Sequence, residues 1–206
     1  MIYENFISNE AYVLVWEVTE SVDELSAMLT NFDNYAAEFK NLKTDKRRLE
    51  FLSVRVAMNY LLNKELEIKY NSEGKPFLSD QSYAISISHS GKWIAVMAHP
   101  KLKAGIDIEC PTDKITKLYK RFLSETEQNE LFADQNIKKL QIAWSAKEAL
   151  YKIIGNEAVD FANQIRILPF EIEDNGQIMS EHIPSQTVYY LNYKITDQYH
   201  LVFCIA

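Results

Sequence analysis

"GIDIE" (residues 105–109) lies within the run KLKAGIDIECPTDK and combines strand-forming isoleucines with two acids. Side chains on a β-strand alternate between its two faces. The stretch therefore predicts a strand with Ile106 and Ile108 on the core face and with Asp107 and Glu109 together on the other. Neighbouring carboxylates repel each other, and a divalent cation that prefers oxygen ligands, such as Mg²⁺, relieves that repulsion. An exposed edge strand with both acids in water would give the same pattern.

The composition is that of a soluble globular protein of one large or two small domains. The 206 residues are 47% hydrophobic and 25% charged, and the net charge of −7 argues against general nucleic-acid binding. No apolar run approaches the roughly 20 residues of a membrane helix, and the N-terminus lacks the basic segment of a secretory signal. Two cysteines are too few for a disulfide framework. We therefore predict a cytoplasmic protein with no membrane partner.

The residues before GIDIE alternate between strand and helix signals. Residues 11–18 (AYVLVWEV) predict a strand, and Ser21 with Glu24 forms a capping-box pattern that opens a helix. Apolar residues at spacings of three and four predict a helix from Asp45 to Leu62. A turn at 71–78 and two strands joined by HSGK (residues 89–92) complete this part.

The residues after GIDIE predict two helices followed by strands. The helices are expected at 116–132 and 137–155, the second closed by Gly155, and an antiparallel meander with turns near 173–177 and 196–198 should follow. The chain therefore predicts an α+β fold of two halves, residues 1–104 and 105–206.

The second helix contains WSAKEALYK (residues 144–152), which includes another acidic residue, Glu148. Spacings of three and four predict that one side of this helix carries Trp144, Lys147, Glu148, Tyr151 and Lys152. Glu148 would add a third acid to Asp107 and Glu109, and the lysines would be available for phosphate. An ordinary amphipathic helix with its charges in solvent is the alternative.

Three further segments complete a family pattern. GIDIE followed by WSAKEALYK resembles the paired signature of the 4′-phosphopantetheinyl transferases of the larger, pseudo-dimeric (surfactin-synthetase-activating) type. GKPFL (residues 74–78), SISHSGKWIAV (residues 86–96) and DKRRLEFLSVR (residues 45–55) resemble other family segments and occur in the family's order. The resemblance covers about residues 40–155.

The resemblance implies a fold and an activity. The two α+β halves would pack as a pseudo-dimer, each with a small antiparallel sheet and a long helix, in a monomeric enzyme of the holo-[acyl-carrier-protein] synthase kind. The N-terminal half would contact the phosphates of coenzyme A, and the C-terminal half would hold the metal and dock the carrier. The reaction moves the 4′-phosphopantetheine arm to a serine of an apo acyl or peptidyl carrier protein and releases adenosine 3′,5′-bisphosphate.

The resemblance also assigns roles to single residues. Asp107, Glu109 and Glu148 would ligate Mg²⁺, and Glu148 would deprotonate the acceptor serine directly or through a water, with Lys152 as a second catalytic residue. The coenzyme A contacts would be Arg47, Arg55, Lys75, Ser88, His89, Lys147 and Lys152. Arg48 is an alternative to Arg47 for the 3′-phosphate, and a structural role is the alternative for His89.

An acidic carrier protein needs a basic docking surface. Residues 114–127 contain Lys117, Lys120 and Arg121 beside Leu118 and Phe122, a basic and apolar mixture that suits an acidic helix, although a solvated helix face would look the same. Two other functions stay open. A Mg²⁺-dependent nuclease also uses strand carboxylates, but Glu109 is followed by cysteine and proline rather than the usual lysine. A non-catalytic carrier-binding module would not require three acids.

Overall fold

The computed structural model describes residues 1–134, 136–155 and 159–206 of the chain. It confirms the α+β class, with small antiparallel sheets and several helices. The described residues form two compact units, Met1–Leu102 and Lys103–Ala206, and each contains a sheet and one helix of 18 residues. The pseudo-dimeric packing of the two halves stays a prediction.

The N-terminal unit has a four-stranded antiparallel sheet in the order β1-β2-β6-β5 and a separate β3-β4 pair. Its strands are β1 (Ile2–Ser8), β2 (Ala11–Glu17), β3 (Ile68–Tyr70), β4 (Pro76–Leu78), β5 (Ala84–Ser90) and β6 (Trp93–His99). Its helices are α1 (Val22–Ala27), α2 (Ala36–Lys40) and α3 (Asp45–Leu62), with a 3₁₀ turn at Phe32–Tyr35.

Local sequence signals explain most of this unit. The capping box of Ser21 and Glu24 opens α1, and the Thr44 side chain accepts a hydrogen bond from the backbone N–H of Arg47 at the start of α3. Leu52 and Val56 bury one side of α3 in the core of the unit. The predicted helix at 45–62, the predicted strand at 11–18 and the predicted hairpin, which is β5 and β6, are confirmed. The sequence did not predict β1.

The C-terminal unit has one antiparallel sheet in the order β7-β11-β10-β9-β8, which confirms the predicted meander. Its strands are β7 (Ala104–Glu109), β8 (Ile165–Ile167), β9 (Asn175–His182), β10 (Thr187–Ile195) and β11 (His200–Ile205). Its helices are α4 (Glu125–Leu131), α5 (Ile137–Ile154) and α6 (Phe161–Gln164), with 3₁₀ turns at Asp113–Lys117, Tyr119–Arg121 and Ile183–Ser185. No helix in the described ranges has both the length and the apolar character needed to cross a bilayer.

The helix predicted at 116–132 is wrong over its first half. Two 3₁₀ turns occupy that segment, and α4 begins only after Ser124, whose side chain caps it together with Glu127. Phe122 and Leu123, directly before this cap, are almost fully buried. Serine is a favoured N-cap residue, so α4 begins directly after Ser124 and the turns before it are not part of the helix.

The helix α5 lies unusually close to strand β7 at Gly105. A Cβ atom at Gly105 would lie 2.1 Å from the backbone oxygen of Ala149 and 2.9 Å from a side-chain carbon of Ile153. Gly105 shares its strand face with Asp107 and Glu109, and this face is turned toward α5. Ile106 and Ile108 are fully buried on the opposite face, so the predicted alternation is confirmed. Asp107 is itself only 4% exposed, so the strand is not one with both acids in water.

Replacing Gly105 should therefore destabilise the C-terminal unit. We expect Gly105→Ala to lower the free energy of unfolding by about 1–3 kcal/mol, because overpacking displaces a helix or strand. Urea unfolding of the variant and its parent measures this. The nearest clash is with a backbone oxygen, so adding Ile153→Ala should not restore stability. A double variant as stable as Ile153→Ala alone would contradict the backbone contact.

Candidate functional site

The helix α5 presents the residues of the WSAKEALYK motif to the acids of β7. The indole Nε1 of Trp144 donates a hydrogen bond to Glu109 Oε1 at 3.2 Å. Two turns along, Lys152 Nζ donates to the carbonyl oxygen of Ile106 at 2.6 Å and to Asp107 Oδ1 at 3.1 Å. Glu148 is four residues from each of these contacts on the same side of the helix. The three predicted acids thus come from the strand and the helix that face each other.

The surroundings of Glu148 change its acidity. Burial raises the pKa of the Glu148 carboxyl to about 7, together with the negative charges of Asp107 and Glu109 and against the opposing effect of Lys152. A carboxyl with this pKa exchanges its proton near neutral pH. It can therefore serve as a base, which an ordinary glutamate does poorly.

The donor chemistry of this cluster fits a hard divalent cation, since it supplies carboxylate oxygens of three side chains. Within the described ranges, however, no three histidine, cysteine or acidic side chains are already gathered as metal ligands. Asp107 is instead paired with the ammonium group of Lys152. A cation would have to draw the three carboxylates closer together.

Lys147, the residue before Glu148, is not in this cluster. Its side chain is fully buried and paired with the fully buried Glu127 at 2.7 Å. Burial lowers the pKa of Lys147 to about 8 even though Glu127 acts to raise it. The ammonium group also donates to three backbone carbonyls, so the prediction that Lys147 contacts a coenzyme A phosphate is contradicted by its surroundings.

In the N-terminal unit, Glu50 links two of the predicted phosphate contacts. Arg47 Nη1 donates to Glu50 Oε2 at 3.1 Å, and His89 Nδ1 lies 3.7 Å from Glu50 Oε1. Arg47 comes from α3 and His89 from the end of β5, and both side chains are exposed beyond this contact. Arg48 is held elsewhere, by the carbonyl oxygen of Leu42 and by Asp45. This geometry favours Arg47 over Arg48 as the partner of His89.

Arg55 is placed differently from its prediction. Its side chain is fully buried, with the guanidinium 3.3 Å from the ring centre of Phe51 and 4.7 Å from that of Tyr35. It also donates to the Phe51 carbonyl oxygen and to Glu38. Arg55 lies on the inner side of α3, so it stabilises the N-terminal unit and cannot reach a phosphate in solvent.

The remaining predicted contacts lie on turns and strand ends of the same unit. Lys75 follows the turn at Gly74, whose φ of +80° favours glycine, and its backbone N–H donates to Asn71 Oδ1. Ser88 is 8% exposed and precedes His89 on β5. Their contacts with coenzyme A stay a prediction.

The predicted docking surface is partly as expected. Lys117, Leu118, Lys120 and Arg121 are exposed on the two 3₁₀ turns. Phe122 is 2% exposed and packs against Trp144, with the ring centres 5.1 Å apart, so its place in that surface is contradicted.

Sequence reasoning missed the two acids that organise these groups. Glu50 is three residues from Arg47, a spacing that signals an ion pair on a helix. Glu127 is visible in the sequence only as the fourth residue of a capping box. Its pairing with Lys147 joins residues 20 apart and has no local signal.

Comparison with known proteins identifies the family. The family model of the 4′-phosphopantetheinyl transferase superfamily matches residues 103–204. The 4′-phosphopantetheinyl transferase AcpT of Salmonella typhi is 30% identical over 129 residues, which cover 60% of this chain and 67% of that protein. The chain belongs to the 4′-phosphopantetheinyl transferase superfamily.

Two relatives from Bacillus subtilis extend this comparison. The 4′-phosphopantetheinyl transferase Sfp of strain 168 is 28% identical over 158 residues, which cover 73% of this chain and 68% of that protein. A second 4′-phosphopantetheinyl transferase is 30% identical over 141 residues, which cover 65% of this chain and 60% of that protein. These matches confirm that this superfamily member is of the larger, Sfp-like type.

The raised pKa of Glu148 predicts a pH-dependent stability in the absence of metal. The unfolded chain releases this proton near pH 4.5 and the folded protein near pH 7, so the folded state binds more protons between these values. The stability contributed by the neutral group is thus complete below about pH 4.5 and lost as the pH rises through 7.

Glu148→Gln keeps this position neutral at every pH. With EDTA present, the variant should be more stable than its parent at pH 8 by on the order of 2 kcal/mol, and the difference should shrink toward pH 4.5. Urea unfolding at several pH values measures this. Equal stabilities at pH 8 would contradict a crowded, buried Glu148.

Proposed function

We propose that this protein transfers the 4′-phosphopantetheine arm of coenzyme A to a serine hydroxyl of an apo acyl or peptidyl carrier protein and releases adenosine 3′,5′-bisphosphate. This is the holo-[acyl-carrier-protein] synthase reaction. The observation that supports the proposal is that Trp144 and Lys152, four residues on either side of Glu148 on α5, bond to Glu109 and Asp107 of β7. Membership of the superfamily and the names of its relatives support the same activity.

The three carboxylates would hold Mg²⁺. When bound, the ion would supply positive charge to the diphosphate of coenzyme A. Asp107 and Glu109 are fixed by the strand, and Trp144 orients Glu109 through its hydrogen bond. Glu148 comes from the helix, so the site depends on how α5 lies against β7.

Glu148 is the proposed base. The acceptor serine Oγ forms a bond to the phosphorus next to pantetheine, and the bond from that phosphorus to the bridging oxygen breaks. The bonding electrons leave on adenosine 3′,5′-bisphosphate, and the serine proton passes to Glu148 directly or through a water.

Lys152 is the proposed source of positive charge beside the acids. Its ammonium group is only partly buried and lies at Asp107, so it would face the negative charge that grows on the departing phosphate. Lys152 would keep one hydrogen bond to the carbonyl oxygen of Ile106 while doing so, which holds its position.

The phosphate contacts proposed for the N-terminal half are Arg47, Lys75, Ser88 and His89. Arg47 and His89 already share Glu50, so two of the four are held near each other. The exposed basic turns at 117–121 are the proposed docking surface for an acidic carrier. The cytoplasm is the proposed location and the monomer the proposed state.

A transfer assay with labelled coenzyme A, Mg²⁺ and an apo carrier protein tests the function. The parent should label the carrier serine, and Glu148→Gln should lower kcat by about 10²–10⁴-fold because the base is lost. A non-catalytic carrier-binding module would give no label with the parent. A Mg²⁺-dependent nuclease would instead cut DNA or RNA in the same buffer. Absence of label with acyl and peptidyl carriers alike would refute the proposal.

Arg47 and Arg48 offer a matched pair for the coenzyme A contacts. Arg47→Met should raise KM for coenzyme A about tenfold with little change in kcat, since one charged hydrogen bond to a phosphate is lost. Arg48→Met removes the same charge one residue along and should leave that KM near the parent value. Equal effects of the two substitutions would contradict the assignment of Arg47.

A further inference from the structure

The buried pair of Lys147 and Glu127 has no part in the chemistry proposed above. Lys147 Nζ donates to the carbonyl oxygens of Phe122 at 2.8 Å, Phe161 at 2.7 Å and Ile165 at 2.6 Å. It also lies 2.7 Å from Glu127 Oε1. An ammonium group has three protons, so these acceptors use all of them within the unit.

Glu127 is bound just as completely. Its Oε1 accepts the backbone N–H of Ile167 at 2.8 Å, and its Oε2 accepts the backbone N–H and the hydroxyl of Ser124. The pair therefore connects α5 to the start of α4 and to β8 at one buried point.

Stability alone is a weak reason for such a pair. Removing two charges from water costs so much that apolar residues of similar size often stabilise a core equally well or better. The pair also fixes the orientation of α5. Hydrogen bonds to three carbonyl oxygens set the rotation of the helix about its axis and its position along that axis. The apolar contacts of the buried Leu150 and Ile153 have no such directional preference.

The position of the pair connects it to the proposed site. Lys147 and Glu148 are consecutive on α5, so their side chains project about 100° apart. Lys147 holds the side of the helix toward α4 and β8. Glu148 lies on the side of Trp144 and Lys152, which bond to Glu109 and Asp107 of β7. A rotation of α5 about its axis that released Lys147 would also turn Glu148 relative to these acids.

We propose that the Lys147–Glu127 pair is a positioning device that sets the rotation of α5 and so holds Glu148 over the acids of β7. The inference rests on the proposed metal site and deepens it, because it names the residues that make the third ligand available. Lys147 is a positioning residue in this account and touches neither substrate nor metal.

The test measures Mn²⁺ affinity by titration calorimetry on the full-length chain, well below its melting temperature. Lys147→Met should weaken Mn²⁺ binding about tenfold, the size of effect known for residues that orient metal ligands. Lys138→Met makes the same substitution at an exposed position of α5 and should leave Mn²⁺ affinity at the parent value. A folded Lys147→Met variant with unchanged affinity would overturn the inference, because a residue needed only for stability would behave in this way.

A double variant serves if Lys147→Met does not fold. Lys147→Met with Glu127→Gln leaves no unpaired buried charge, and glutamine still offers an oxygen to Ile167. The double variant should fold and should bind Mn²⁺ more weakly than the parent does. A parent-like Mn²⁺ affinity in the double variant would overturn the inference.

Hydrogen exchange separates the inference from the proposed function. The backbone amides of residues 148–152 should exchange faster in the Lys147→Met or double variant than in Lys138→Met, without any metal. A parent that binds no Mn²⁺ would refute the proposed metal site alone, and the exchange rates would then decide the positioning role. Equal exchange in these variants and the control would overturn it.

Discussion

The close approach of α5 to β7 at Gly105 is the constraint on which the site depends. The Ala149 oxygen occupies the space that any larger residue would need at that position. Because glycine leaves this space open, the helix can lie close enough for Trp144 and Lys152 to bond with the strand. The glycine and the acids of GIDIE therefore belong to one arrangement. Gly105 sets the distance between α5 and β7, and the contacts of Asp107 and Glu109 with the helix depend on that distance.

The same arrangement gives the two lysines of the helix motif opposite environments. Lys152 lies five positions after Lys147, so their side chains project roughly 140° apart around the helix axis. Lys147 is enclosed among carbonyl oxygens and Glu127, whereas Lys152 stays partly exposed beside Asp107. Residue type alone assigns both to phosphate. Position around the helix separates a cation that orders the core from one that is available to a ligand.

The sequence predicted the parts of the fold that local patterns determine. Helix α3 and the hairpin of β5 and β6 follow from periodicity and turn residues, and α1 follows from its capping box. The acids were assigned to one strand face correctly, because alternation on a strand is strict. The helix at 116–132 failed since charged and apolar residues alternate similarly in 3₁₀ turns, and only the cap at Ser124 marked the true start. Arg55 and Lys147 were misjudged for another reason, because the Tyr35 ring beside Arg55 and the Ile165 carbonyl oxygen beside Lys147 come from other elements of the chain.

The pairing of β7 has a consequence for how the protein is made. Among the described strands β7 has a single neighbour, β11, and the ladder pairs Gly105 with Cys204 and Glu109 with His200. About 90 residues of chain must be synthesised after the acidic strand before its partner exists. During that interval on the ribosome, β7 has an unpaired edge, and Asp107 and Glu109 lack the contacts of the complete sheet. The acidic site is therefore completed only after β11 has also left the exit tunnel.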